Sequence, residues 1–133
     1  MEHRFEGPSY TLGIEEELMI VDSETLDLTN SIEGLLQDLE ETDTEGEVKP
    51  ELMESVCEIA TTPCTGAAEA GGQLEALRRT VRSVAEGRGL AIGAAGTHPF
   101  AMWEDQRIVS RPRYRDLVAG LQFVARQELI FGI

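Results

Sequence analysis

The sequence predicts an α+β fold, an antiparallel sheet with helices on one face. Strand-like and amphipathic helical segments follow one another in the order β, α, β, α, β, α, β along 133 residues. The first two strand-like segments alternate apolar and acidic residues, as half-exposed antiparallel strands do, whereas buried parallel strands run continuously apolar. The chain is 41% hydrophobic and only 5% aromatic, so its core must come from Leu, Ile, Val and Ala. Its length suits one domain spanning 1–133 with a real core.

Charge narrows the function classes. A net −14, from 25 acidic and 11 basic residues with Lys49 the lone lysine, repels nucleic acid and anionic membrane. It suits cations, or an anionic ligand that arrives with them. An acidic, lysine-poor surface also resembles that of salt-adapted proteins. The sequence shows no signal-peptide pattern and no apolar run long enough to span a bilayer, so a reduced, cytoplasmic setting is expected. Cys57 and Cys64 lack the close spacing of a redox or zinc motif; inert thiols are the simpler expectation, a disulfide between them the other.

Residues 1–8 read as a loose lead-in containing His3 and closing on the turn pair Gly7-Pro8. The first strand runs from about Tyr10 to Val21. Alternation puts Leu12, Ile14, Glu16, Leu18 and Ile20 on one face, and Glu15, Glu17, Met19 and Val21 on the other. Glu15 and Glu17 then stand about 7 Å apart. A strand carrying such a pair either binds a cation there or is an edge strand wearing solvated charge.

Ile32, Leu35, Leu36 and Leu39 form one helical stripe. Asn30 caps it, with Glu33 completing a capping box; acidic residues at its C-terminal end oppose the helix dipole and end it early. Residues 51–63 read as a second strand, with Glu54 and Glu58 on one face and Met53, Cys57 and Ile59 on the other. Thr65 caps a long helix with Leu74, Leu77, Val81 and Val84 inward and Glu75, Arg78, Arg79, Arg82 and Glu86 outward. Gly87 and Gly89 terminate it. Leu90 to Ala95 is a short buried strand leading to a turn with His98, which is either a structural hydrogen bonder or a ligand. Pro112 opens a last helix with Tyr114, Leu117, Val118, Leu121, Val124 and Ala125 along one side. The final stretch, Glu128 to Ile133, turns strand-like.

Three segments together resemble one family. Gly13-Ile14-Glu15-Glu16-Glu17-Leu18 is similar to the Glu-x-Glu strand of the glutamate–cysteine ligases, in particular their bacterial and archaeal carboxylate–amine ligase branch. Glu58-Ile59-Ala60-Thr61-Thr62-Pro63, with Lys49-Pro50-Glu51 ahead of it, resembles the second acidic strand. Gly96-Thr97-His98-Pro99-Phe100-Ala101 followed by Arg113-Tyr114 resembles the third block. The resemblance implies a glutamine-synthetase-like fold, ATP as co-substrate and Mg²⁺ (or Mn²⁺) as cofactor. It implies amide formation between a small-molecule acid and an amine through an acyl phosphate. Carried over by position, Glu15, Glu17 and Glu58 become metal ligands and Glu51 a fourth, less securely, since alternation along one strand sets it opposite Glu58. His98, Thr97 and Arg113 fall in the substrate or nucleotide neighbourhood.

The chain is well under half the length of a family member, so the resemblance implies the N-terminal portion of a catalytic domain, inactive alone. It would be completed by a C-terminal half or by association with copies of itself. The alternative reading is a truncated, non-catalytic acidic domain that binds divalent metal or self-associates. A metal-dependent hydrolase fits less well, because one site histidine and no nucleophile–base pair can be found.

Overall fold

The structure, a computed structural model, describes residues 10–40 and 42–127. The expected lead-in over 1–8, with His3, and the strand-like stretch 128–133 lie outside the described residues. Four strands, β1 (Glu15–Asp22), β2 (Glu47–Pro50), β3 (Val56–Ala60) and β4 (Leu90–Gly93), form one sheet in the order β2-β3-β1-β4, every neighbour antiparallel. Helix α1 (Ile32–Leu39) lies against β2, and α2 (Ala67–Gly87) against β3 and β4. The α+β architecture expected from the alternation is therefore present.

One sheet face carries Leu18 and Ile20 of β1 with Cys57 and Ile59 of β3, all buried. They meet Ile32 and Leu35 of α1 and Leu77 and Val81 of α2 in the core. Each such aliphatic side chain contributes about 1.5–3 kcal/mol by leaving water. Glu16 sits in the middle of this face, only 4% exposed. Its carboxylate accepts two bonds from Arg78 of α2, Nε at 2.7 Å and Nη2 at 2.5 Å. Arg78 was expected on the solvent side of the helix; an extended guanidinium reaches back to the sheet because a buried carboxylate requires a partner. The expected Glu75–Arg79 pair is present at 2.6 Å.

Several boundaries differ from expectation for local reasons. β1 begins at Glu15 rather than Tyr10. Tyr10 has φ 62, the Ile14 amide donates to the Thr61 hydroxyl, and only a bridge from Leu12 to Cys64 precedes the ladder. Residues 51–63 are not one strand. Residues 47–50 and 56–60 form a hairpin, with Lys49 opposite Glu58 and Pro50 opposite Cys57. Proline cannot donate to a ladder, and β2 ends there. The intervening turn is held from outside: the Leu52 carbonyl accepts from Val109, and the Glu54 carbonyl from Ser31 and Ile32.

That second contact also replaces the expected cap of α1. The N-cap is Ser31, without a side-chain bond, while the Asn30 amide bonds the Asp105 carbonyl and the Arg107 amide. At α2 the N-cap is Gly66, and Thr65 donates its amide and hydroxyl to Glu69 instead. β4 is a half-buried edge strand rather than a buried one. The last helix is α3 (Pro112–Leu121), broken at Gln122 (φ 50) before the single turn α4 (Phe123–Arg126). Tyr114 and Ala125 are buried, but Leu117, Leu121 and Val124 of the expected stripe are exposed.

Candidate metal centre

The face of the sheet opposite Glu16 brings carboxylates together by register. Glu17 of β1 stands directly across from Glu58 of β3, and opposed antiparallel residues place their Cβ atoms about 4.5–5.5 Å apart on one face. Glu51 arrives from the turn after β2. One carboxylate oxygen from each of Glu17, Glu51 and Glu58 lies within 4.8 Å of the other two, and all three residues are half-buried. Among the described residues this is the one such grouping of His, Cys, Asp and Glu.

Three like charges at that separation repel, and the surroundings show it. Burial pushes the Glu51 carboxyl above its ordinary value; the Leu52 amide opposes this, while the charges of Glu17 and Glu58 add to it and Arg113 subtracts. Relief comes from Lys49, the next residue in the same cross-strand row. Its Nζ lies 2.6 Å from Glu58, 3.7 Å from Glu15 and 3.9 Å from Glu47. The bond to Glu58 raises the lysine above its usual value. Behind Glu51, the Tyr114 hydroxyl donates to the Pro50 carbonyl at 2.8 Å and stands 3.5 Å from the Glu51 carboxylate. Burial, then the Glu51 charge, hold this phenol above its ordinary range.

The residues expected at a site are thus distributed unevenly. Glu17, Glu58 and Glu51 converge. Glu15, though on the same strand face as Glu17, is exposed at the strand's first residue and sits beside Lys49. Arg113 is exposed, its guanidinium 5.7 Å from the Tyr114 ring centroid, and its charge reaches Glu51. His98 lies in the 97–101 turn with both ring nitrogens engaged: Nδ1 accepts the Ala101 amide at 3.1 Å, so Nε2–H donates to the Leu26 carbonyl at 2.9 Å. It clasps that turn to the one after β1. Thr97 is exposed in the same turn. Lys49 and Tyr114 were not read as site neighbours; a hairpin read through Pro50 would have placed Lys49 opposite Glu58.

The donor set is chemically suited to a hard divalent cation. Mg²⁺ takes carboxylate oxygens at about 2.0–2.1 Å in an octahedron and keeps water in the remaining positions. Oxygens sharing such an ion stand about 3–4 Å apart, so small rotamer changes of these three side chains suffice. Glu58 already has a cationic partner in the Lys49 ammonium.

Comparison with known proteins agrees with the motif resemblance. Residues 11–133 match the model of glutamate-cysteine ligase family 2 (GCS2). The chain is 43% identical over 125 residues to a Sorangium cellulosum protein named "Putative glutamate--cysteine ligase 2", covering 93% of this chain and 33% of that one. A Rubrobacter xylanophilus relative is 41% identical over 132 residues, 99% of this chain and 35% of its own. A Chloroflexus aggregans relative is 41% identical over 125 residues, 94% and 32% respectively. The chain spans about a third of the length of these relatives. With its motifs in order and nearly its whole length matched, the chain belongs to glutamate–cysteine ligase family 2.

Proposed function

We propose that this chain supplies the metal-binding carboxylates of an ATP-dependent glutamate–cysteine ligase or a closely related carboxylate–amine ligase with a glutamine-synthetase-like fold. The observation that carries the reading is the convergence of Glu17, Glu51 and Glu58. They would hold Mg²⁺ or Mn²⁺, which neutralises and orients a transferring phosphoryl group when bound. In the reaction a substrate carboxylate oxygen attacks the γ-phosphorus of ATP and ADP leaves. The amine then attacks the acyl carbon, phosphate departs with the bonding pair, and the amine proton passes to solvent or a base. Arg113, exposed beside Tyr114, supplies a cation at the rim for an anionic substrate group, and Thr97 and His98 border the substrate region. Glu15 stands outside the three converging carboxylates, beside Lys49.

Two measurements test this. ADP release by the enzyme containing this chain should require both an acid such as glutamate and an amine; steady release with water alone refutes ligation. Calorimetry of the 133-residue chain with Mn²⁺ should show binding that Glu17→Gln/Glu58→Gln abolishes. A second reading, a non-catalytic domain that associates with copies of itself, draws on the exposed Leu117, Leu121, Phe123 and Val124. Sedimentation showing a dimer that Leu121→Glu dissociates, with no contribution to turnover, would favour it.

A further inference from the structure

The row Lys49–Glu58–Glu17 runs straight across three strands, so the ammonium and the candidate metal compete for the same carboxylate. Lys49 is not locked in place. Its side chain is 38% exposed, and the two further carboxylates within 4.0 Å, Glu15 and Glu47, are 69% and 72% exposed. A lysine chain has rotatable bonds enough to trade one acceptor for another without leaving the acidic face. Moving from Glu58 to Glu15 and Glu47 takes the charge from a half-buried carboxylate to two solvated ones in the neighbouring row, where both stand opposite Ala60.

We propose that Lys49 is the resident counter-ion of this centre, displaced from Glu58 onto Glu15 and Glu47 when a divalent cation seats on Glu17, Glu51 and Glu58. The inference rests on the metal-site reading above and deepens it. It gives Lys49 the role of an exchangeable cation that neutralises Glu58 whenever no divalent ion is bound, and it gives Glu15 and Glu47 the role of receiving it. Glu15 then acts on the metal through Lys49 and not by direct ligation. Removing the lysine leaves the three carboxylates without their internal cation, so a metal ion should bind more tightly. Removing Glu15 should weaken the metal only while Lys49 is there to be received.

The test is Mn²⁺ calorimetry on the 133-residue chain at low ionic strength, where such competition is least screened. Lys49→Met should bind Mn²⁺ about fivefold more tightly than the unmodified chain, the size expected for losing one partly exposed ion pair, and Lys49→Arg should bind much as the unmodified chain does. Glu15→Gln should weaken binding in the unmodified background and change nothing beside Lys49→Met. Equal or weaker binding by Lys49→Met, with Glu58→Gln still abolishing binding, overturns the exchange and leaves the site standing. If Glu15→Gln weakens binding equally in both backgrounds, Glu15 is a ligand and the receiving role falls. Binding that survives Glu17→Gln/Glu58→Gln overturns both readings. Because Lys49 is the only lysine, ¹⁵N-lysine labelling gives one ammonium resonance in the unmodified chain. That signal should move on addition of Mg²⁺; a signal unmoved at saturation overturns the proposal whatever the variants do.

Discussion

Replacing Arg78 by methionine should unfold this chain more readily than any loss of its surface ion pairs. The methionine retains most of the apolar stem, so the change isolates the guanidinium. Glu16 would remain in a site where its side chain is 5% exposed, facing Ile59 in the ladder and stripped of two short charge-assisted bonds. Breaking a buried pair from one side typically costs about 3–5 kcal/mol. Arg78 itself is 54% exposed, so water compensates part of the loss and about 2 kcal/mol is expected. For 133 residues the unfolding entropy is about 0.28 kcal/mol/K, which converts the loss to a fall in Tm of about 7 °C. Urea and thermal unfolding of Arg78→Met, Glu16→Leu and the double variant measure it. The double variant should be within about 1 kcal/mol of the parent, because an apolar pair of similar volume removes the stranded charge. A loss under about 0.5 kcal/mol for Arg78→Met, or a double variant as unstable as Arg78→Met, would refute the claim that Glu16 is tolerated only through its partner.

Gly46→Ala should cost about 2 kcal/mol or more in urea unfolding, since Gly46 has φ +104 and an added Cβ would lie 2.5 Å from the Ala60 carbonyl oxygen; an unchanged midpoint would show that the β2 entry can shift. Native protein should resist Ellman's reagent at both cysteines and release two thiols on denaturation, because Cys57 and Cys64 are buried and unbridged and burial pushes the Cys57 thiol up to about 12. Prompt native reaction at Cys57 would refute this. Acid should destabilise the fold: backbone amides of Thr25 and Glu24 hold Asp22 below its ordinary value, Arg88 does so for Asp38, and Thr65 for Glu69. The folded state binds these protons less readily than the unfolded chain, so the stability they supply is complete above the ordinary carboxylate range and lost as pH falls through it. Glu51, shifted upward, works in the opposite sense, relieved as acid protonates it. Melting curves should therefore fall more steeply with acidification for the parent than for Asp38→Asn; equal slopes would discount the Arg88 pair.

What the sequence disclosed about this site follows from what strand alternation can and cannot encode. Period-two alternation reports faces within one strand, and it placed Glu16 apart from Glu15 and Glu17 without any coordinates. It says nothing of register between strands, and the centre is a register feature: Glu17 opposite Glu58, Glu58 opposite Lys49. Reading residues 51–63 as one strand put Glu51 on the wrong side of Glu58. The hairpin through Pro50 removes that conflict, because the two residues never belonged to one alternation. Helical periodicity failed at Arg78 for a related reason. It assigns faces from residue type, and a long cationic side chain can reach inward from the flank of a helix when a carboxylate waits there.

The two glutamates that flank each other in the motif consequently have opposite physical fates, and the fold sets that division. Glu16 turns inward and spends its charge on Arg78, fixing α2 to the sheet. Glu17, one residue on, turns to the other face, where Glu58 and Glu51 converge with it. The inward pair anchors the strand from which Glu17 projects, so the position of that converging carboxylate depends on a salt bridge on the far side of the sheet. Loosening that anchor should therefore reach Mn²⁺ binding without touching any of the three converging oxygens, whereas a metal site built on a free loop would not register it. The adjacent carboxylates of residues 16 and 17 are in this sense one device: a buried charge that anchors the strand, beside a half-buried one that the strand positions.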